Sequence, residues 1–196
     1  MSKFLYQPVR PFFINQKFGE NKACVDNATG RVTIICDGNN PPQGYRSLYG
    51  SQGHLGMDLR SYHGQEVFSA SRGVVSFIDT NPKSGLDVRV ETGFQGQRYR
   101  HVYEHLLGYQ TKVGCTVETG QLIGWADNTG YSSGDHLHFQ FERWENNQWK
   151  PIDPLLYMEN IFAPEILVIN NKLASIRQKL GIILDNLANY LLSKKI

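Results

Sequence analysis

The stretch "SSGDHLHFQFER", Ser132 to Arg143, decides how the rest of the chain is read. From Leu137 the residue types alternate, with Leu137, Phe139 and Phe141 on one face and His136, His138 and Gln140 on the other. That is the period of a strand burying one row of side chains. Such a strand offers two imidazoles to whatever lies across its second face. The plain alternative is a half-exposed sheet face whose histidines meet only water. Two imidazoles at i, i+2 after a glycine turn, in a chain with six histidines, are also typical equipment for metal binding or proton transfer. Which of the two applies depends on partners elsewhere in the chain.

Outward from this stretch, similar short runs recur: "EVFSA", "GVVSFID", "LDVRVET", "YRHVYEHL" and "QLIGWAD", separated by turns such as "NPKSG", "GFQGQ" and "DNTGYSSG". Strands that short and frequent, without helices between them, predict a mainly β, antiparallel domain. Nineteen glycines and 12% aromatic residues agree with it. Residues 1–50 read as irregular, with one strand candidate in "RVTIIC", and "PIDPLLYM" reads as the exit from the domain. The predicted boundaries are 1–157 for the β domain, with 23–52 as an extended loop region, and 158–196 for a C-terminal α-helix.

That last segment has its own period. After Pro164, apolar residues fall at Ile166, Ile169, Leu173, Ile176, Leu180, Ile183, Leu187 and Tyr190, a heptad spacing with mainly Leu at a and Ile at d. The pattern favours a trimer or tetramer built through residues 166–191. A single helix packed on its own β domain is the competing reading, and Gly181 weakens either one by roughly 1 kcal/mol relative to alanine. A membrane-surface helix ranks below both, because few lysines line the polar face.

The net charge of +2 over 196 residues gives no argument for nucleic acid as a partner. No apolar run approaches the ~18 residues of a membrane span, and the opening "MSKFLYQPVRPFFINQ" lacks the unbroken apolar stretch of a signal peptide. Cys24 and Cys36 flank a turn-like "DNATG" and are placed to pair across a hairpin in an oxidising compartment; Cys115 is left over.

Partners for the two histidines come from two other stretches. In "GHLGMD", His54 and Asp58 are four apart, about 13 Å on a straight strand, so they can share an ion only if the chain bends. Gly56 is the expected bend. In "YRHVYEHL", Tyr99, His101, Tyr103 and His105 alternate against Arg100, Val102 and Glu104, and one of the two histidines is expected at the surface. His63, in "SYHGQ", reads as a turn residue without a partner.

Taken together, "HLGMD", "YEHL" and "NTGYSSGDHLHF" resemble the motif order of the lysostaphin-type (LytM-like) zinc metalloendopeptidases. "GQEVFSASRGVV", "KVGCTVETGQLIGWADNTG", "PIDPLLYM" and the early "INQKFGE" extend the likeness over roughly Phe12 to Tyr157. The resemblance implies a half-barrel peptidase domain that hydrolyses peptide bonds of bacterial peptidoglycan, in a cross-bridge or stem peptide, with a zinc-activated water. Carried over by position, it implies zinc (Zn2+) ligands at His54, Asp58 and His138 and catalytic histidines at His105 and His136. Two imidazoles and one carboxylate leave a fourth coordination position open, the arrangement of a catalytic zinc site. The chain has no His-Glu-x-x-His, so proton transfer falls to His105 and His136, whose ordinary pKa suits it. Asp135 and Gln140 depart from the family pattern, which puts substrate preference in question more than chemistry.

Other readings remain in view. One is a catalytically inactive relative that binds cell wall, or a virion structural protein on the same fold. A phage-encoded lysin or virion-associated enzyme also fits the absent signal peptide and the heptads. A lipoyl- or biotinyl-type carrier shares the Val-x-x-Gly-x-x-Ile-Gly look, but the chain presents no lysine at a suitable hairpin tip.

Overall fold

The computed structural model describes residues 3–20 and 53–159, with the backbone of 24–25 and 32–33. The expected helix over 166–191, its trimer or tetramer, the Cys24–Cys36 pairing and most of the 23–52 loop lie outside the described residues. What is described is mainly β. Among the described residues there is no α-helix, only a 3-10 turn at Pro154–Leu156, and no helix is long and apolar enough to cross a membrane.

The strands are β1 (Ile14–Gln16), β2 (Cys24–Val25), β3 (Val32–Thr33), β4 (Met57–Arg60), β5 (Glu66–Phe68) and β6 (Gly73–Asn81). They continue with β7 (Gly85–Phe94), β8 (Gln97–Tyr109), β9 (Thr116–Val117), β10 (Leu122–Ala126), β11 (His136–Glu145) and β12 (Gln148–Ile152). Strands β2 and β3 form a separate pair. The others make one open sheet in the order β1-β4-β11-β8-β7-β6-β9, with β12 added to β11, and with β10 between β8 and β5. Every pairing between these strands is antiparallel.

Local chemistry explains the connections. Gln95 and Gly96 both take positive φ between β7 and β8, and Asn146 and Asn147 do so between β11 and β12. Two positive-φ residues match the hairpin turn whose twist suits paired strands. The run "QWKPI" carries a proline and no clean alternation, so it does not read as a strand. Among the described residues it pairs only with β11, and such an edge tolerates Pro151.

β11 lies between β4 and β8, and this sets the core. Leu137, Phe139 and Phe141 are fully buried against Met57 and Leu59 of β4, Tyr103 of β8, and Val88 and Val90 of β7. Each such side chain contributes about 1.5–3 kcal/mol on burial. The N-terminal segment has no regular structure before β1, yet it belongs to this core. Leu5 and Val9 are fully buried, Leu5 bridges to Met158, and Phe4 stacks on Phe94 at 4.0 Å between ring centroids. The opposite face of β11 carries the histidine row.

Candidate active site

Across the β4–β11 pair, His138 is directly opposite Asp58, and across β11–β8 it is opposite Glu104. Residues directly opposite in an antiparallel pair present their side chains on the same face, so the register alone brings imidazole and carboxylate together. His54 reaches them because the chain bends at Leu55–Gly56, just before β4. The Asp58 Oδ1 lies 2.9 Å from His138 Nδ1 and 3.2 Å from His54 Nε2, and the two nitrogens are 3.1 Å apart.

Gly56 serves this geometry differently from the expectation. It does not adopt the left-handed conformation; a Cβ there would stand 2.6 Å from the Phe139 carbonyl oxygen and 2.8 Å from His138 Nε2. Glycine is needed for close approach to the histidine, not for an unusual dihedral.

Outer partners orient each ring. His54 Nδ1 lies 3.1 Å from the Lys17 carbonyl, to which it donates, leaving Nε2 for the centre. Gln140 hydrogen-bonds His138 through its side chain and gives its amide to Glu142 Oε1 at 2.7 Å. Glu142 in turn accepts from Arg100 at 2.5 Å. Lys17 was invisible as a partner from sequence because a backbone carbonyl does the work.

The donor atoms of His54, Asp58 and His138 lie within 4.8 Å of one another. Donors ~2.0–2.2 Å from a tetrahedral ion stand roughly 3.3–3.5 Å apart, a few tenths of an ångström wider than the spacings here. Burial by itself would raise the Asp58 pKa. The hydrogen bonds from His136, His138 and His54 outweigh it and hold the carboxyl well below the usual carboxylate range. For His138 burial lowers the pKa, but Asp58 and Glu104 reverse the sign and raise it. A carboxylate centre that draws a proton onto His138 is one a divalent cation can fill by displacing it. The residues therefore fit the implied zinc.

His136 and His105 lie beside this group. His136 Nε2 is 3.5 Å from Asp58 Oδ1, while its Nδ1 donates to the Gly134 carbonyl at 2.8 Å. Burial lowers its pKa and the Asp58 carboxylate more than restores it, for a net rise. The His105 ring centroid is 4.8 Å from that of His136 and 6.1 Å from that of His138. Its Nδ1 donates to the Thr129 carbonyl at 2.7 Å. Burial first, then the neighbouring His136 and His138, push its pKa down to about 4.

The expectation that one of His101 and His105 is at the surface is overturned: both are buried, on opposite faces of the sheet. Strict alternation puts them on the same face. The β7–β8 register slips between Val88↔Tyr103 and Leu86↔Leu106, so β8 holds one extra residue there. His105 takes φ 64°, and this bulge turns its ring away from the His101 row and toward His136. His101 remains in the core, with its ring against Phe141 and Tyr103.

His63 is also not without partners. Its Nδ1 is 2.7 Å from Asp127 Oδ1, and its backbone N–H donates to Asp135 Oδ2 at 3.2 Å. These three form a second His/Asp group whose donor atoms lie close together, but His63 is 65% exposed, and water competes for such a site far more than for the buried group.

An open antiparallel sheet carrying a buried two-histidine, one-carboxylate centre with two further imidazoles beside it belongs to the class of metal-site hydrolase folds. The particular family follows from comparison. Residues 52–154 match peptidase family M23, and the chain belongs to that family. Over 88 residues it is 52% identical to the glycyl-glycine endopeptidase ALE-1 of Staphylococcus capitis, a match covering 44% of this chain and 24% of that protein. Over 87 residues it is 34% identical to the peptidoglycan DD-endopeptidase ShyA of Vibrio cholerae, covering 44% of this chain and 20% of that protein. Its fold matches a zinc-containing peptidase from Vibrio cholerae with a TM-score of 0.56 and 26% identity, over 78% of this chain and 39% of the other. The matched stretch is thus a quarter or less of each of these two curated relatives.

Proposed function

We propose that the chain is a zinc-dependent endopeptidase acting on the peptide part of bacterial peptidoglycan. The observation that carries this reading is the convergence of His54, Asp58 and His138 within 4.8 Å, with the His105 and His136 rings 4.8 Å apart beside them. His54, Asp58 and His138 are the residues that would hold the ion. Zinc, when bound, polarises a carbonyl and makes water acidic enough to act as a nucleophile near neutral pH.

The chain's own residues supply the proton chemistry. His105, with its pKa pushed down to about 4, is unprotonated at neutral pH. Its Nδ1–H is donated to Thr129, so Nε2 is the basic nitrogen of the neutral ring. His136 likewise donates its Nδ1–H to Gly134, which leaves Nε2 to exchange a proton. One ring accepts the proton of the attacking water, and one returns a proton to the leaving amine. The relatives are named for glycyl-glycine and DD-endopeptidase activity, and this supports peptidoglycan as the substrate class.

The test is zinc analysis together with mass spectrometry of fragments released from two walls, one with glycine cross-bridges and one directly cross-linked. His54→Ala and Asp58→Ala should lose zinc and activity together. His105→Ala and His136→Ala should keep zinc and lose most turnover, by ~100-fold or more. Loss of metal in the second pair, or release of glycan fragments only, would refute the assignment. Residues 1–157 are proposed as the catalytic domain, and the 166–191 heptads as a trimer- or tetramer-forming segment, checked by light scattering on the full chain.

A further inference from the structure

We propose that Thr129 is a positioning residue for the reaction: it fixes the ring of His105 with Nδ1 protonated and Nε2 bare. The inference rests on the reading of His105 as a proton-transfer group.

His105 occupies a backbone conformation that costs a non-glycine residue of order 1–3 kcal/mol, so something outside β8 must hold it there. Its N–H donates to the Ser84 carbonyl at 2.9 Å, and its carbonyl accepts from the Asp127 N–H at 2.9 Å. These bonds pin the backbone. The ring is a separate matter, because an imidazole on a pinned backbone still rotates and still chooses between two neutral tautomers.

Thr129 constrains both. Its carbonyl accepts the His105 Nδ1–H at 2.7 Å. Its hydroxyl donates to the Leu106 carbonyl at 2.9 Å and accepts from the Leu86 N–H at 3.2 Å. One residue therefore grips two successive residues of β8 and the start of β7. Without the hydroxyl, the nearest remaining anchor of that carbonyl would be the bond from the Tyr131 N–H to the Lys83 carbonyl at 2.9 Å, which reaches the turn before β7 and not β8.

Gly85 makes the grip feasible. A Cβ there would stand 2.6 Å from the Thr129 carbonyl oxygen and closer still to its hydroxyl. The turn before β7 thus leaves a notch that the Thr129 side chain fills. Were Thr129 only a loop anchor, its loss would lower stability and leave the His105 tautomer alone.

The experiment uses the zinc-loaded full chain. Long-range 15N–1H spectra read the tautomer of each histidine ring, and turnover is measured on the peptidoglycan fragment the wild type cuts fastest. In the wild type His105 should carry its proton on Nδ1. Thr129→Val should populate both His105 tautomers and lower kcat by roughly 10- to 100-fold. KM should stay within about twofold, and zinc content should be unchanged. Thr129→Ser restores the hydroxyl and should restore both readouts. Unchanged kcat and spectra in Thr129→Val would overturn the proposal, as would failure of Thr129→Ser to rescue. An Nε2–H tautomer in the wild type would overturn it without any variant. Absence of wild-type activity, or full activity in His105→Ala, would instead sink the reading on which the proposal rests.

Discussion

His101 gives a test of the fold that needs neither metal nor substrate. Its side chain is fully buried beside Phe139, Phe141 and Tyr103. Its Nε2 lies 3.3 Å from Ser71 Oγ, and its Nδ1 has no hydrogen-bond partner among the described residues. Burial pushes its pKa from 6.5 down to about 3, so in the folded protein the ring stays neutral well into acid. The unfolded chain takes up a proton near 6.5. Its contribution to stability is therefore whole above that value and is lost as pH falls toward the folded pKa. Linkage gives a loss of about 2 kcal/mol between pH 7 and pH 5, and roughly 4–5 kcal/mol once both states are protonated. The perturbation is His101→Leu, of similar size and without a titrating group. Urea unfolding of wild type and variant at pH 7, 6 and 5 isolates the residue, because the other histidines cancel in the difference. The wild type should lose about 2 kcal/mol more than the variant over that range. Parallel pH profiles would refute the reasoning, since they would mean that the buried ring is protonated in the native state or is not buried.

Gly56→Ala would bring a methyl to within 2.6 Å of the Phe139 carbonyl; it should cost about 1–3 kcal/mol in denaturant melts and weaken zinc retention against a chelator. His63→Ala should leave one zinc per chain by metal analysis, because the buried centre does not use it; loss of that zinc would move the metal to the exposed group. Zinc affinity should fall as pH falls, since His138, whose pKa the Asp58 carboxylate helps to raise, must be neutral to bind and protons compete for it. A chelator titration at pH 8 and pH 6 reads that sign directly.

Much of the architecture was legible in short-range pattern. Alternation in "HLHFQFER", "LDVRVET" and "GVVSFID" marks strands that the structure contains, because a period of two reflects one buried row. β12 and the packed N-terminal segment were not legible. Pro151 contradicts a strand locally and is tolerated because β12 pairs along one side with β11, and Leu5 and Val9 join a core cluster built mostly from residues 57–158. The resemblance to the lysostaphin-type peptidases nominated His54, Asp58, His105, His136 and His138, yet it offered no sign of Lys17 or Thr129. Both act through backbone carbonyls, and every residue has one.

The residue order by itself determined which side chains are chemically able to meet and which rows are apolar enough to drive a sheet together. Tertiary structure alone decided which histidine faces which way. His101 and His105 share a face under any strict alternation, and a single extra residue in β8 sends one into the core and the other to the carboxylate. That residue is stable there because a bond donated to the Ser84 carbonyl and one accepted from the Asp127 N–H offset the strain at His105, and bonds between distant segments are not written in local sequence.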